Sequence, residues 1–193
     1  VGRMKLIVGV TLFFVANNRL YRSVVGGAAE EIGGSFGGFR VTQSTNGTVL
    51  YSGEWGGDLR MIPAGGRSAE PVVMRGDDGT NLAATYPQFL PDGRRFLFLS
   101  VSRSQVFVGD IESRTGKLLV DIASPAEYAN GYLLYGKAGL LMAQRFDPTT
   151  LALQGEPRQV VSGLGINAST FVEWSFSSSS VGHLVYWGGY STP

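Results

Sequence analysis

Residues 86–100 read YPQFLPDGRRFLFLS. A short strand, Tyr86–Leu90, runs into the turn Leu90-Pro91-Asp92-Gly93 and out along a second strand, Phe96–Ser100. Pro91 presets φ at about −65°, Asp92 suits the second central position, and Gly93 supplies the positive φ that closes a type I hairpin turn with a bulge. The second strand contains Phe96-Leu97-Phe98-Leu99, apolar at every position. A strand with one wet face alternates, so this one is expected to be covered on both faces by further sheets.

Strands of the same kind recur. They are Leu12–Val15 (LFFV), Val49–Ser52 (VLYS), Tyr132–Tyr135 (YLLY) and His183–Tyr186 (HLVY). Turns at Asn46-Gly47, Asp92-Gly93, Asn130-Gly131 and Val181-Gly182 lead into four of the five. Where the chain continues, another strand follows, at Leu20–Val24, Asp58–Ile62, Gln105–Ile111 and Leu140–Phe146. A fourth closes the unit at Glu70–Met74, Lys117–Asp121 and Glu156–Val161. Asn18–Ile32 (NRLYRSVVGGAAEEI) and Gly57–Val73 (GDLRMIPAGGRSAEPVV) share a strand, a Gly-Gly turn and a second strand entered after Ala-Glu. The interval matches the period of about 40–50 residues of four-stranded propeller blades.

Composition agrees. The 193 residues include 28 glycines, about twice the usual share, many doubled between apolar runs. So many turns in so short a chain point to short antiparallel strands. Net charge is +1 and neither sign clusters, which gives no ground for nucleic acid as a partner. Without cysteine there is no disulfide, thiolate nucleophile or cysteine-ligated metal. Arg3 and Lys5 before Leu6–Ala16 (LIVGVTLFFVA) resemble the start of a signal peptide, and the run is too short to span a bilayer as a helix. A pair of buried strands broken at Gly9 is the preferred reading, because the residues that follow continue the repeat. No membrane insertion by this segment is expected.

The expected fold is all-β: a β-propeller of about four to five four-stranded blades in a single domain, 1–193, incomplete at both ends. The blades fall at 1–35 (the later strands of one), 36–80, 81–122, 123–165 and 166–193. In the fourth, a first strand lies around Glu127–Ala129. The last holds two strands, Thr170–Ser177 and His183–Tyr186, with Ser177–Ser180 as their hairpin loop. Arg75–Ala84 and Asp147–Gly155 read as loops. Leu-Pro-Asp-Gly-Arg at 90–94, the Gly-Gly turns, and 131–161 (GYLLYGKAGLLMAQRFDPTTLALQGEPRQVV) resemble TolB-like, WD-related propeller repeats. The form is most similar to repeats C-terminal to bacterial serine/threonine protein kinase domains. That resemblance implies a ligand-sensing or protein-binding region of a larger bacterial protein, a kinase or a periplasmic complex, on the extracytoplasmic side. It carries no catalytic motif. Propellers close into rings of typically 4–8 blades. A piece of a ring leaves apolar faces bare, at about 1.5–3 kcal/mol per large side chain, so the isolated chain is expected to be marginal or self-associating.

Several short motifs have a chemical reading and a plainer one. Gly33-Gly34-Ser35-Phe36-Gly37 matches the nucleophile elbow, but a strand at Phe39–Ser44 follows where a helix is required. Gly131–Ala138 has the spacing of a phosphate loop, yet its interior is a buried strand and Ala138 stands where Ser or Thr would hold magnesium. Asp77-Asp78-Gly79-Thr80-Asn81 clusters oxygens suited to calcium, without the glutamate and flanking helices of an EF-hand. Asn46-Gly47-Thr48 and Asn167-Ala168-Ser169 fit the glycosylation sequon, and the first is explained as a turn. His183, the lone histidine, is expected to be a half-buried strand residue with one hydrogen bond. Trp174 and Trp187 fit packing between blades, with Tyr86 and Tyr190 as further aromatics. Trp55, in SGEWGGD, reads as packing or as a partner contact.

No catalytic, cofactor-binding or metal residue is therefore assigned, and no cofactor is expected. The expected role is non-catalytic recognition of a protein or small-molecule ligand. The alternative is the propeller of an enzyme, either gating a prolyl-oligopeptidase-like hydrolase or holding a funnel site. Convergence of Arg75, Asp77, Asp78 and Arg103 would favour the latter.

Overall fold

The computed structural model describes residues 3–8, 11–24, 26–35, 40–53, 59–167, 173–174, 176–179, 183–186 and 188. Every regular element among them is a strand. β1 (Arg3–Val8), β2 (Thr11–Ala16), β3 (Arg19–Val24) and β4 (Ala29–Ser35) form one antiparallel sheet in chain order. β5 (Val41–Gln43), β6 (Val49–Ser52), β7 (Leu59–Ile62) and β8 (Glu70–Val72) form the next. β9 (Ala84–Phe89), β10 (Arg95–Ser100), β11 (Gln105–Asp110) and β12 (Thr115–Val120) make a third. β13 (Ala126–Ala129), β14 (Tyr132–Lys137), β15 (Leu140–Asp147) and β16 (Ala152–Ser162) make a fourth. Two pairs follow: β17 (Ile166–Asn167) with β18 (Glu173–Trp174), and β19 (Phe176–Ser178) with β20 (Leu184–Tyr186).

The hairpin at 86–100 forms as its residues dictate. Gly93 N–H donates to Leu90 O at 3.0 Å, Leu90 N–H donates to Arg95 O at 2.8 Å, and Gly93 has φ +70°. β10 is buried on both sides. Phe96 and Phe98 join Leu50, Leu59, Val72 and Phe107 in the layer against the second sheet. Leu97 joins Val106, Val108, Leu133 and Tyr135 in the layer against the fourth. Phe13, Leu20 and Ile32 meet Val41, Val49 and Tyr51 between the first and second sheets. Leu134 and Leu141 meet Leu164, Phe176 and Leu184 beyond the fourth. The sheets thus stack face to face in chain order. Their first strands lie side by side, β1 on β5, β5 on β9, β9 on β13 and β13 on β19. Sheets stacked by their faces, with first strands gathered together, are blades around a hub.

Four details differ from the sequence expectation. Residues 3–35 carry all four strands of a blade rather than its later ones, because β1 pairs with β2 as well as β2 with β3 and β3 with β4. Of the strand expected at Thr170–Ser177, residues 170–172 and 175 lie outside the described ones, and the rest divides: Glu173–Trp174 pairs with β17, while Phe176–Ser178 pairs with β20. Ser177 and Ser178 accordingly belong to β19, and the loop begins at Ser179, whose N–H donates to His183 O at 2.8 Å. The loop expected at Asp147–Gly155 is shorter, since β15 runs to Asp147 and β16 begins at Ala152. Within 75–84, Arg75 and Asn81 form a small bridge of their own.

Candidate functional site: the hub and its turn end

The first strand of each blade is an edge, and its outward N–H groups need acceptors once buried. Side chains of neighbouring blades supply them. Phe89 N–H donates to Thr42 Oγ1 at 3.2 Å, and Tyr86 N–H donates to Ser52 Oγ at 3.1 Å. Tyr128 N–H donates to Gln88 Oε1 at 2.6 Å, while Gln88 Nε2 returns a bond to Tyr128 O at 3.2 Å. Thr42, Ser52 and Glu127 are buried polar residues for this reason.

Glu127, on β13, is the most demanding of them, with a side chain only 2% exposed. Arg40, just before β5, pairs with its Oε1. Ser178 of β19 donates its N–H to Oε2 at 2.6 Å and its hydroxyl to the same oxygen. The carboxylate therefore joins the second blade, the fourth and the pair β19–β20, with both oxygens engaged. Sequence reading placed Glu127 in a strand without seeing this role. The signal was present, since a carboxylate inside the short apolar strand AEYA needs a buried cation.

At one end of the hub the turns between first and second strands leave an open cleft of about 590 Å³. Three blades build it, through Gln43-Ser44-Thr45, Gln88 to Pro91, and Tyr128-Ala129-Asn130. None of these side chains is charged. The nearby charges are spent locally: Arg94 pairs with Asp110 and Glu112 at 2.7 Å each, Arg95 with Asp92, and Arg95 Nη1 donates to Thr149 O at 3.0 Å. Gln43 Nε2 reaches Gly47 O at a long 3.4 Å. Among the described residues the side chains of Thr45 and Asn130 meet no hydrogen-bond partner.

The short motifs resolve individually. Gly33 to Ser35 ends strand β4, and residues 36–39 lie outside the described ones. A Cβ on Gly33 would sit 2.6 Å from the Tyr51 hydroxyl, so that glycine answers to packing. Residues 132–137 are strand β14, as the plainer reading of the phosphate-loop spacing required. Thr80 N–H and Oγ1 donate to Asp78 Oδ1 at 3.1 and 2.7 Å, and Arg103 pairs with the same carboxylate. Arg103 Nη2 also donates to Thr80 Oγ1 at 2.8 Å, and Arg75 Nη1 to Gly79 O at 2.9 Å. Of the four residues Arg75, Asp77, Asp78 and Arg103, the two arginines, Arg103 from the turn between β10 and β11, close onto oxygens of the exposed loop that carries Asp77 and Asp78. The Thr80 hydroxyl first, then the Thr80 N–H and Arg103, hold the Asp78 carboxyl down at about 2. No group of three or more His, Asp or Glu is placed to hold a metal among the described residues.

His183 is exposed rather than half-buried, and its N–H donates to Ser179 Oγ at 3.0 Å. It precedes β20 instead of starting it, and it lines an open pocket with Leu134 and Leu184. Asn46 is a turn residue whose Oδ1 accepts Thr48 N–H at 3.0 Å, and Asn167 ends β17. Tyr86 is buried and Trp174 lies in β18. Trp55, Trp187 and Tyr190 fall outside the described residues. Among those residues no helix is long and apolar enough to cross a membrane.

No family model matches the chain, and no curated protein matches it by sequence. Solved structures do match it in shape. YCF48 bound to D1 peptide superposes with TM-score 0.60 at 16% identity, over 96% of this chain and 61% of that one. Virginiamycin B lyase from Staphylococcus aureus gives 0.58 at 13% identity, over 96% and 62%. An auxiliary nutrient binding protein from Bacteroides thetaiotaomicron gives 0.58 at 9%, over 94% and 50%. The chain spans less than two thirds of the length of each of the three. The fold they share with it is the β-propeller, and identities this low carry the fold alone.

Proposed function

We propose that this chain is a non-catalytic recognition module of a larger bacterial protein, holding a ligand at the turn end of its hub. One observation carries the reading. The buried polar groups of the hub are consumed in bonds between blades, whereas the cleft beside them is open, uncharged and built by three blades. A group that acts on substrate must present an unengaged lone pair or proton. Glu127 spends both oxygens on Arg40 and Ser178, and Asp78 stays ionised against Thr80 and Arg103. The resemblance of 90–94 and 131–161 to TolB-like, kinase-associated repeats supports a sensing role in a kinase or a periplasmic complex.

The test is a thermal-shift screen of the chain against peptides and metabolites, alongside turnover assays with ester, peptide and lyase substrates. A ligand at a hundred times its Kd stabilises by about 2.7 kcal/mol. Gln43→Trp, which fills the cleft, is expected to abolish the shift without lowering the unliganded Tm. Turnover that disappears on substituting Asp78 or Glu127 in a still-folded chain would replace this reading with the enzyme alternative.

A further inference from the structure

We infer that the cleft at the turn end of the hub takes an uncharged, hydroxyl-rich ligand, a neutral oligosaccharide. The inference rests on the recognition reading above and specifies its ligand. Charge points to such a ligand first. Every lining side chain is an amide, a hydroxyl or apolar, and the arginines of the adjoining turn are bound to Asp92, Asp110, Glu112 and a backbone carbonyl. A ligand carrying a phosphate, carboxylate or ammonium would be stripped of water there without a counter-charge, which is costly.

The form of the hydrogen bonding agrees. A sugar hydroxyl both donates and accepts. Side-chain amides and hydroxyls present both functions within a few ångströms, as no charged side chain does. Thr45 and Asn130 have no partner among the described residues, and Gln43 is held only by a 3.4 Å contact. Beside them stand the exposed Pro91 and the half-buried Tyr128, apolar surface suited to the C–H faces of a pyranose ring. The volume of about 590 Å³ lies within the usual range of small-molecule sites, about 300–1,000 Å³.

The state of the backbone separates a saccharide from a neutral peptide. An extended peptide gains affinity by adding a strand to an open edge. The edges that face the hub here are already occupied: Phe89 N–H is satisfied by Thr42, Tyr86 N–H by Ser52, and both backbone groups of Tyr128 by Gln88. What remains at the cleft is side-chain chemistry.

Isothermal titration of the 193-residue chain decides it. The probes are neutral gluco- and xylo-oligosaccharides, oligogalacturonates, and an end-capped Ser/Asn peptide. The expected result is binding of at least one neutral oligosaccharide and of neither other class. Thr45→Val should weaken that binding at least threefold, and Asn130→Asp, which puts a charge into the cleft, at least tenfold. Gln43→Trp should abolish it, and circular dichroism and Tm identify any variant that fails to fold. If Gln43→Trp unfolds, the two milder substitutions still decide. Binding of the peptide or of oligogalacturonate, lost in Gln43→Trp, would overturn the saccharide and leave recognition at this cleft standing. Binding indifferent to all three substitutions, or no binding by any probe, would overturn both.

Discussion

Gly109 and Gly116 leave room for Phe96 and Phe98 of their own blade and for Met74 and Leu82, which precede it in the chain. A Cβ on Gly109 would sit 2.7 Å from Phe96 Cζ and 2.8 Å from Met74 Cε, and one on Gly116 would sit 2.7 Å from Leu82 Cδ1 and 2.8 Å from Phe98 Cζ. These are the same phenylalanines that the hairpin at 86–100 sends into the layer against the second sheet. Overpacking a core costs about 1–3 kcal/mol per added group, so Gly109→Ala and Gly116→Ala should each lower the urea midpoint by that equivalent. Gly34→Ala is the control, since nothing lies within 4 Å of its Cβ position. Equal midpoints for Gly34→Ala and Gly109→Ala would mean that the blades stack more loosely than described.

At the same scale, titration predicts an acid limit. Asp78 sits at about 2 through Thr80 and Arg103. Asp147 is lowered by the N–H of Thr149 and the hydroxyl of Thr150. Asp92 and Asp110 are pushed up by burial, and Arg95 in the one case, Ser113 N–H and Arg94 in the other, more than reverse it. A carboxylate whose folded pKa lies below its unfolded value of about 3.9 stabilises the fold above that value. The contribution is lost as pH falls toward the folded pKa. Tm should therefore hold level from neutrality down to about pH 5 and drop below about pH 4. Asp78→Asn lacks that contribution at every pH, so its neutral plateau should lie below the parent chain's and its drop in acid should be smaller. A drop unchanged in that variant would assign the acid limit to the other aspartates.

At the scale of the element, β10 carries the test of the architecture. In a sheet with one wet face, Leu97 and Phe98 would point to opposite environments and only one would matter. Here Leu97 packs toward the fourth blade and Phe98 toward the second, at 0% and 1% exposure. Leu97→Ala is expected to cost about 2–5 kcal/mol and Phe98→Ala about 3–5 kcal/mol. A near-neutral result at either position, read from denaturant midpoints, would remove one of the two flanking sheets. This two-sidedness was legible because an unbroken run such as FLFL has no other resting place in an antiparallel strand. The turns were legible for a related reason: Pro-Asp-Gly and Asn-Gly fix backbone torsions within a few residues. Local signals give less where pairing is chosen from a distance. Nothing within 170–178 says that Glu173–Trp174 and Phe176–Ser178 bond to different partners. Tyr86, with φ +53° in the middle of β9, is another such case, where the register with β10 shifts and the N–H turns toward Ser52 of the neighbouring blade. The cleft residues were invisible for the same reason, since Gln43, Thr45 and Asn130 become neighbours only when three blades share a hub.

For the whole molecule, the bond system around Glu127 makes a prediction that no single blade makes. Arg40 and Glu127 are 87 residues apart in the chain, and Ser178 is a further 51 beyond Glu127. A buried ion pair is poor at raising stability and costly to break from one side. Glu127→Met strands the Arg40 guanidinium, whose side chain is 21% exposed, and should cost about 3–5 kcal/mol. Adding Arg40→Met removes the stranded charge. The double variant should recover most of that loss, less about 1–3 kcal/mol for the Ser178 N–H left without its acceptor. Urea midpoints should therefore fall in the order parent, double, Glu127→Met alone. Should the double variant prove the least stable of the three, the pair is a net stabiliser rather than a device of alignment. Should Glu127→Met alone be neutral, the carboxylate does not cross the hub at all, and the radial arrangement of the second and fourth blades loses its strongest single tie.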